Sequence, residues 1–124
     1  MPRNISFSLT TDQIKDQTKT VTRRKGWWKD TRGRRLLKEG DILNACVKCM
    51  GLRPGESIER ICQIRVVDVR RERLSKMCQI GYGWPEAERE GFPEMTGTQF
   101  VAMFCQKMGG KPDQEVTRIE FEYV

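Results

Sequence analysis

The sequence contains no histidine. Histidine is the commonest general base near neutral pH and the commonest side-chain metal ligand. Its absence excludes serine-histidine and cysteine-histidine hydrolase mechanisms, and it removes the ligand that most metal centres use. Any acid-base chemistry in this chain must therefore use lysine, glutamate, aspartate, tyrosine or cysteine.

Long apolar runs are also missing. No stretch of about 18 apolar residues occurs, and the first segment, MPRNISFSLTTDQ, lacks the basic-then-apolar order of a secretory signal. We therefore expect a cytoplasmic protein with no membrane partner. The length of 124 residues allows one hydrophobic core without disulfides or metals, so we expect a single domain over residues 1–124.

Cysteine is present in an odd number, five. In a chain of this length, that favours reduced thiols over a disulfide framework. Cys46 and Cys49 have C-x-x-C spacing, but no second pair and no histidine exist to complete a tetrahedral zinc site. If residues 42–50 form a strand, side chains three apart also point to opposite faces. We expect no metal site and no cofactor.

Acidic residues are scarce in the N-terminal third. Residues 1–40 hold 11 Lys and Arg against 4 Asp and Glu, a balance of +7, whereas the other 84 residues hold 12 against 13, a balance of −1. Such a localised excess is typical of a protein with a phosphate-bearing partner. The alternative is a solvated basic face that binds nothing.

Apolar periodicity and turn residues predict the secondary structure. The predicted strands are 5–9, 42–50, 61–74 and 116–124, and the predicted helices are 10–17, 84–92 and 96–110. The strand 61–74 is long enough to cross a barrel while changing face at a bulge. Thr10 with Gln13, and Thr96 with Gln99, have the spacing of a capping box. Residues 25–38 show no period and indicate a long surface loop. We expect an α+β fold, a small mixed sheet forming a partly open β-barrel with short helices at its ends.

The stretch TKTVTRRKGWW, residues 18–28, combines basic side chains with two tryptophans. Aromatic rings beside arginines hold single-stranded nucleic acid, and each stacked base contributes about 1–3 kcal/mol. The alternative is that one or both rings cover the mouth of the barrel. By spacing alone, Lys19 and Thr22 indicate a solvated turn rather than a catalytic site. The candidate contacts to nucleic acid or substrate are Arg23, Arg24, Lys25, Trp27, Trp28, Arg32, Arg34 and Arg35.

Five segments together, TKTVTRR, LKEGDIL, EGF, TGTQFVAMF and VTRIEFEYV, resemble the ASCH family (activating signal cointegrator homology domain). The resemblance covers nearly the whole chain, residues 5–123, and implies a small β-barrel related to the PUA domain. The family signature is G-x-K-x-x-E-x-R. This sequence has its lysine and arginine as Lys19 and Arg24, but Gln17 replaces the glycine and Thr22 replaces the glutamate.

The segment KTVT is similar to the K-T-[IV]-T of a bacterial subgroup of small ASCH proteins that hydrolyse the acetyl amide of acetylated cytidine. This resemblance implies that Lys19, Thr22 and a downstream glutamate, Glu90, are catalytic, with Glu86 and Glu88 as nearby alternatives. In such a set the Thr22 hydroxyl would attack or position a water. Lys19 would accept its proton, and Glu90 would protonate the departing amine.

Other ASCH proteins are implicated in RNA binding or RNA cleavage, so the resemblance specifies the fold better than the reaction. Three functions remain open: an amidohydrolase acting on an acylated pyrimidine nucleoside, a non-catalytic RNA-binding module, and a metal-independent ribonuclease. Nine basic residues between positions 19 and 38 exceed what a free nucleoside requires. The expected partner is RNA or a modified nucleoside, bound in a basic cleft.

Overall fold

The computed structural model describes residues 2–49 and 51–124. One sheet holds five strands in the order β1-β3-β4-β5-β2, in which β1 and β3 are parallel and all other neighbours are antiparallel. The strands are β1 (Arg3–Ser6), β2 (Val21–Arg24), β3 (Ile42–Cys46), β4 (Arg60–Arg73) and β5 (Glu115–Tyr123). The sheet curls into a half-barrel, which confirms the predicted fold class.

Three short α-helices accompany the sheet: α1 (Thr11–Lys15), α2 (Gly83–Arg89) and α3 (Gly97–Met108). A 3₁₀ turn, Leu74–Cys78, follows β4 directly. The predicted capping box of α3 is confirmed, because Thr96 Oγ1 accepts from Gln99 N at 3.1 Å and Gln99 Oε1 accepts from Thr96 N at 2.9 Å. The box fixes where α3 begins.

The capping box predicted for α1 is wrong. Thr10 makes no side-chain capping bond, and the side chain of Gln13 donates to the carbonyl of Gly91 at 3.2 Å. This contact with a distant segment competes with the local bond, and the helix ends at Lys15 rather than at residue 17. Gln17 then has φ 63°, a conformation that favours glycine. The glycine of the ASCH signature is thus the residue type that suits this position best.

The core consists of two clusters of buried side chains. The first lies on the inner face of the half-barrel, and the second joins α3 to the 3₁₀ turn and the start of β5. Burying a large apolar side chain contributes about 1.5–3 kcal/mol, so both clusters stabilise the fold. The first includes Ile5, Phe7, Ile14, Leu43, Ile64, Val66, Ile119 and Phe121; the second includes Leu74, Met77, Ala87, Phe100, Val101, Phe104 and Val116.

Two glycines fix the position of α2, the helix that leads to Glu90. Gly83 and Gly97 are the first residues of α2 and α3, and both approach the backbone carbonyl of Met77 so closely that a Cβ on either would overlap it. The 3₁₀ turn therefore packs against the start of both helices. No helix in residues 2–49 and 51–124 is long and apolar enough to cross a membrane.

The strand containing Cys46 is shorter than predicted. It ends at Cys46, so Cys49 lies outside it and the argument that one strand separates the two thiols is wrong. The end of the predicted strand, position 50, lies outside the described residues. In the described ranges no three Cys, Asp or Glu side chains form a group that could hold a metal ion. By contrast, the long strand β4 has the expected bulge, between Val66 and Asp68.

Candidate functional site

A cavity of about 240 Å³ lies beside the edge strand β2. Side chains of a strand alternate between its two faces, so Thr22 and Arg24 share one side. Both line the cavity, together with Lys19 and Glu90. The lining also includes apolar side chains, which we name the apolar wall: Phe92, Phe100, Met103, Phe104 and Met108. We name the part of the cavity lined by the charged side chains its charged end.

Lys19 and Glu90 form a buried ion pair at the charged end. Lys19 Nζ donates to Glu90 Oε1 at 2.9 Å and to the Glu90 carbonyl at 2.7 Å, and each side chain is only 3% exposed. The backbone brings them together, because Thr20 N donates to the Arg89 carbonyl at 2.8 Å. Tyr123, at the end of β5, donates its hydroxyl to the Lys19 carbonyl at 2.5 Å.

Burial lowers the pKa of the Lys19 ammonium group below its usual 10.5. Glu90 opposes this shift, whereas the positive charges of Arg24 and Arg23 add to it. The net shift is downward, so the neutral amine is more populated at a given pH than in an exposed lysine. A neutral amine is the form that accepts a proton.

Thr22 lies next to Arg24 and is hydrogen-bonded to it. Its Oγ1 accepts from Arg24 Nε at 3.0 Å, and Arg24 Nη2 donates to the Ser6 carbonyl at 2.6 Å. In the part of the chain that the structure describes, no carboxylate forms an ion pair with Arg24, and no group accepts the Thr22 hydroxyl hydrogen. Arg24 therefore brings to the cavity a positive charge that Glu90 offsets only at a distance, and Thr22 has a proton to donate.

Arg23 enters a cluster of buried carboxylates. Its side chain is 0% exposed. Nη1 donates to Glu90 Oε2 at 3.0 Å, while Nη2 donates to Glu72 Oε2 at 3.0 Å and also to Glu86. Its Nε has no partner within residues 2–49 and 51–124, and an unsatisfied buried donor costs about 1–3 kcal/mol. The hydrogen bonds to the three carboxylates thus determine the position of Arg23, although they do not use its Nε donor.

Arg118 balances the charge of this cluster. Its Nε and Nη2 donate to the two oxygens of Glu86 at 2.7 and 3.1 Å. Burial would raise the pKa of Glu86, but the hydrogen bonds and charges of Arg118 and Arg23 outweigh it and lower the pKa to about 2. We name this set the buried charge cluster; its three cations and three carboxylates are Lys19, Arg23, Arg118, Glu72, Glu86 and Glu90.

The structure distinguishes the three candidate glutamates. Glu88 is exposed, and Glu86 is engaged by Arg23 and Arg118. Glu90, which directly follows α2, meets Lys19. Of the three, Glu90 alone lines the cavity with Lys19 and Thr22.

Most of the other candidate contacts lie outside the cavity. Arg24 lines it. Arg23 also lines it, but its terminal nitrogens donate to the carboxylates of the buried charge cluster. Trp27 packs against the core of the half-barrel. Lys25 is exposed, and its Nζ donates to the Met108 carbonyl at 3.3 Å. The remaining four, Trp28, Arg32, Arg34 and Arg35, belong to the loop and do not line the cavity.

The loop has an ordered basic surface of its own. Asp30 Oδ1 accepts from the backbone of Arg32 and Arg34, at 2.8 and 2.9 Å, and both arginines are exposed. The guanidinium carbon of Arg35 lies 3.5 Å from the centroid of the Trp28 ring, a cation–π distance. Asp30 therefore fixes the backbone of Arg32 and Arg34, and Arg35 Nη2 also donates to the Val69 carbonyl of β4 at 3.4 Å.

A row of side chains leads from the loop to the cavity. The guanidinium of Arg71 lies 6.0 Å from the Trp28 ring, and its Nη1 donates to Thr117 Oγ1 at 2.9 Å. Thr117 is the cross-strand neighbour of Arg24. Sequence reasoning missed Arg71, Glu72 and Arg118, since the segment RRER and the alternating strand β5 both indicate solvated charges. No local sequence pattern indicates that Glu72 and Arg118 are buried.

Known structures share this fold at low sequence identity. Protein EF3133 from Enterococcus faecalis V583, of the DUF984 family, has TM-score 0.65 and 16% identity, covering 100% of this chain and 80% of its own. An ASCH domain from Lactobacillus crispatus JV V101 has TM-score 0.55 and 16% identity, covering 98% and 78%. The chain has an ASCH-like fold. The hypothetical protein PH0355 also matches, with TM-score 0.62 and 18% identity over 100% of both chains.

No protein-family model matches the chain, and no curated protein matches it in sequence. Identities of 16–18% show the fold alone. The ASCH-like fold expected from the sequence is therefore confirmed, whereas the similarity to the acetylcytidine hydrolases stays a prediction.

Proposed function

We propose that the protein is an amidohydrolase that removes the acyl group of an acylated pyrimidine nucleoside, with N4-acetylcytidine as the simplest substrate. The observation that supports this most is the buried Lys19–Glu90 pair in the same cavity as the Thr22 hydroxyl. The cavity of about 240 Å³ is below the roughly 300–1,000 Å³ of pockets for drug-sized ligands. It suits a base with a small acyl group, with the ribose at its mouth.

The reaction would begin with proton transfer to Lys19. The neutral amine takes the hydroxyl proton of Thr22, or of a water that Thr22 holds, as the oxygen attacks the acyl carbon. The carbonyl oxygen becomes an oxyanion, and the unpaired charge of Arg24 stabilises it. When the carbon–nitrogen bond breaks, the Lys19 ammonium group returns its proton to the cytosine amine. If Thr22 itself attacks, a water then hydrolyses the threonine ester.

Glu90 has a different role here from the one that the resemblance implies. One of its oxygens accepts from Lys19 and the other from Arg23. A carboxylate held by two donors in this way anchors the lysine rather than supplying a proton to the leaving amine. We therefore assign both proton transfers to Lys19 and the orientation of Lys19 to Glu90.

The apolar wall completes the site. Phe100 stacks at an angle between Phe92 and Phe104, with ring centroids 6.0 and 6.3 Å apart. Such a wall would contact the flat pyrimidine ring and keep water away from the charged end. Water exclusion strengthens the interaction of Arg24 with the oxyanion, because the local dielectric falls.

A second function, RNA binding through the same site, has its own supporting observation. The row Arg35, Trp28, Arg71, Thr117 and Arg24 joins the basic loop to the cavity. Thr117 is buried, so a single strand would contact Arg35, Trp28 and Arg71 at the surface before one base reaches Arg24 at the cavity. The substrate would then be a base within RNA, or the domain would bind RNA without cleaving an amide. The third function, metal-independent cleavage of the RNA strand, would appear as shorter fragments when the same RNA is incubated with the protein.

Product analysis tests the enzymatic proposal. Purified protein incubated with N4-acetylcytidine should release cytidine and acetate, detected by chromatography. Thr22→Ser should keep part of the rate because the hydroxyl survives, and Thr22→Val should lose it. Thr20→Val is the matched control, since Thr20 does not line the cavity. Absence of turnover by the wild-type protein, or full activity of Thr22→Val, would leave RNA binding as the better function.

A further inference from the structure

We propose that Arg23 is a positioning residue of this site: its guanidinium holds the Glu90 carboxylate in the orientation that receives Lys19, and it does not contact the substrate. This inference rests on the proposed function of Lys19. It assigns a role to an arginine that occupies an unspecified position of the ASCH signature and that the sequence indicates as a nucleic-acid contact.

The geometry at Glu90 is the first argument. Its two oxygens have one charged donor each, Lys19 Nζ on Oε1 at 2.9 Å and Arg23 Nη1 on Oε2 at 3.0 Å. Two donors on opposite oxygens fix the rotation of the carboxylate plane, whereas one donor leaves it free to turn. Without the hydrogen bond from Arg23, Glu90 would therefore meet Lys19 differently, although Lys19 itself is untouched.

The anchoring of Arg23 is the second argument. Its other terminal nitrogen, Nη2, donates to Glu72 of β4 and to Glu86 of α2. Tyr82 in turn donates its hydroxyl to Glu72 Oε1 at 2.9 Å. The two terminal nitrogens of Arg23 thus donate to different carboxylates. Because the guanidinium group is planar and rigid, the positions of β4 and α2 determine where Nη1 meets Glu90.

Exclusion of a substrate role is the third argument. The Arg23 side chain is 0% exposed, and both terminal nitrogens already donate to carboxylates. Its remaining donor, Nε, is buried. Both arginines line the cavity, but Arg24 differs because it is partly exposed and has no carboxylate partner in the described residues. Adjacent arginines of β2 therefore have different tasks, Arg24 toward the substrate and Arg23 toward Glu90.

A purely structural role for Arg23 makes a different prediction, and Arg118 provides the matched control. Both arginines are buried, and both donate to Glu86. Only Arg23 also donates to Glu90. If the cluster serves stability alone, the Lys variants of the two should behave alike at the active site.

The experiment compares Arg23→Lys with Arg118→Lys in two ways. The first readout is steady-state kinetics with N4-acetylcytidine. A single ammonium group cannot reach Glu90 and the other two carboxylates together, so kcat of Arg23→Lys should fall about tenfold, as is usual when an orienting partner is removed, with KM within about twofold of wild type. Arg118→Lys should stay within about twofold in both constants.

The second readout does not require activity. The pH titration of Lys19 is followed by NMR of its ¹³Cε, assigned with Lys19→Arg. The charged groups that face Lys19 are Glu90, Arg23 and Arg24, and the Tyr123 hydroxyl bonds its carbonyl. Glu90 raises the pKa of Lys19 and Arg23 lowers it. Arg23→Lys keeps the positive charge at position 23, so its main effect is that Glu90 meets Lys19 less well and raises its pKa less. The midpoint should therefore move to lower pH in Arg23→Lys and stay unchanged in Arg118→Lys.

The outcomes separate this inference from the proposed function. A midpoint that moves only in Arg23→Lys, in a protein without amidohydrolase activity, would contradict the proposed function and support the positioning role. Equal behaviour of the two Lys variants in both readouts would overturn the positioning role. If Arg23→Lys does not fold, the double variant Arg23→Gln, Glu72→Gln removes one charge of each sign and leaves Glu90 Oε2 without its donor. It should also show a lower midpoint, although loss of the Arg23 charge alone would raise the pKa of Lys19; an unchanged or higher midpoint there would overturn the proposal.

Discussion

Arg23 and Arg32 belong to one basic stretch of sequence but have opposite environments. Arg23 is completely buried and donates to three carboxylates, while Arg32 is exposed on the loop. The partners of Arg23, Glu72, Glu86 and Glu90, come from β4 and from α2 and the residue that follows it, far away in sequence. The comparison teaches that a local excess of positive charge does not identify a binding surface, because the fold can neutralise part of it from elsewhere.

The two environments also differ in what a charge contributes. A buried ion requires its partners, and removing one leaves the others uncompensated in a medium of low dielectric. An exposed charge is solvated with or without a partner, so its removal changes long-range attraction rather than stability. Variants of the buried charge cluster should therefore affect folding, those that disturb Lys19 or Glu90 should also affect chemistry, and variants of the loop should affect only partners.

The largest effect on stability is expected for Glu86→Gln. It removes the charge that faces both Arg23 and Arg118, so the free energy of unfolding should fall by about 3–5 kcal/mol. Urea denaturation followed by circular dichroism measures it. Glu122→Gln is the control, because its ion pair with Arg65 is 45–54% exposed and should contribute only about 0–1 kcal/mol. Equal losses in the two variants would contradict the distinction between buried and exposed charge.

Acid should destabilise the cluster in a defined pH window. The pKa of Glu86 falls from 4.5 to about 2 in the folded protein, so its carboxylate stabilises the fold above pH 4.5. That contribution should disappear progressively as the pH falls from 4.5 toward 2. Thermal melting across this range should show a steep loss in the wild-type protein and a shallower one in Glu86→Gln. The same slope in both proteins would show that Glu86 does not cause the acid sensitivity.

A smaller effect, confined to polymer binding, is expected for the loop. The variant Arg32→Ala, Arg34→Ala, Arg35→Ala should bind single-stranded RNA more weakly while keeping its melting temperature. For every phosphate that the variant no longer neutralises, the slope of log K against log salt should become shallower by about 0.7. Fluorescence anisotropy at several salt concentrations measures both the affinity and the slope.

The matched control for the loop removes three exposed charges elsewhere: Arg53→Ala, Lys107→Ala and Lys111→Ala. If this variant loses as much affinity as the loop variant, net charge alone drives binding and the row from Trp28 to Arg24 has no special role. Absence of RNA binding by the wild-type protein at low salt would remove the second function altogether.

Features set by local sequence are predictable. The capping box of α3 depends on residues three positions apart, and the bulge in β4 is required by a strand too long to keep one face inward. Features that depend on contacts between distant segments cannot be predicted from the local sequence. The capping box of α1 fails because Gln13 bonds Gly91, 78 positions away. The alternation in β5 predicts one charged, solvated face, but α2 brings Glu86 onto Arg118 and buries it.

The candidate site divides in the same way. The resemblance of the segment KTVT to the ASCH subgroup predicts that Lys19 and Thr22 are catalytic, whereas their spacing alone favours a solvated turn. Glu90 is 71 positions from Lys19, so no periodicity relates the two, yet the structure joins them at 2.9 Å. The basic residues next to Arg23 in the sequence predict that Arg23 contacts RNA or a nucleoside. Its buried position depends instead on carboxylates that the sequence does not relate to it.

The most direct test is kcat/KM on free N4-acetylcytidine for three proteins: wild type, Lys19→Ala and the triple loop variant. Loss of a general base typically costs about 10²–10⁴-fold, so Lys19→Ala should fall by at least about 100-fold. The loop variant should stay within about twofold, because a free nucleoside has no phosphate for the loop to bind. Turnover by Lys19→Ala at the wild-type rate, or a large loss in the loop variant alone, would contradict the assignment of the chemistry to the buried pair.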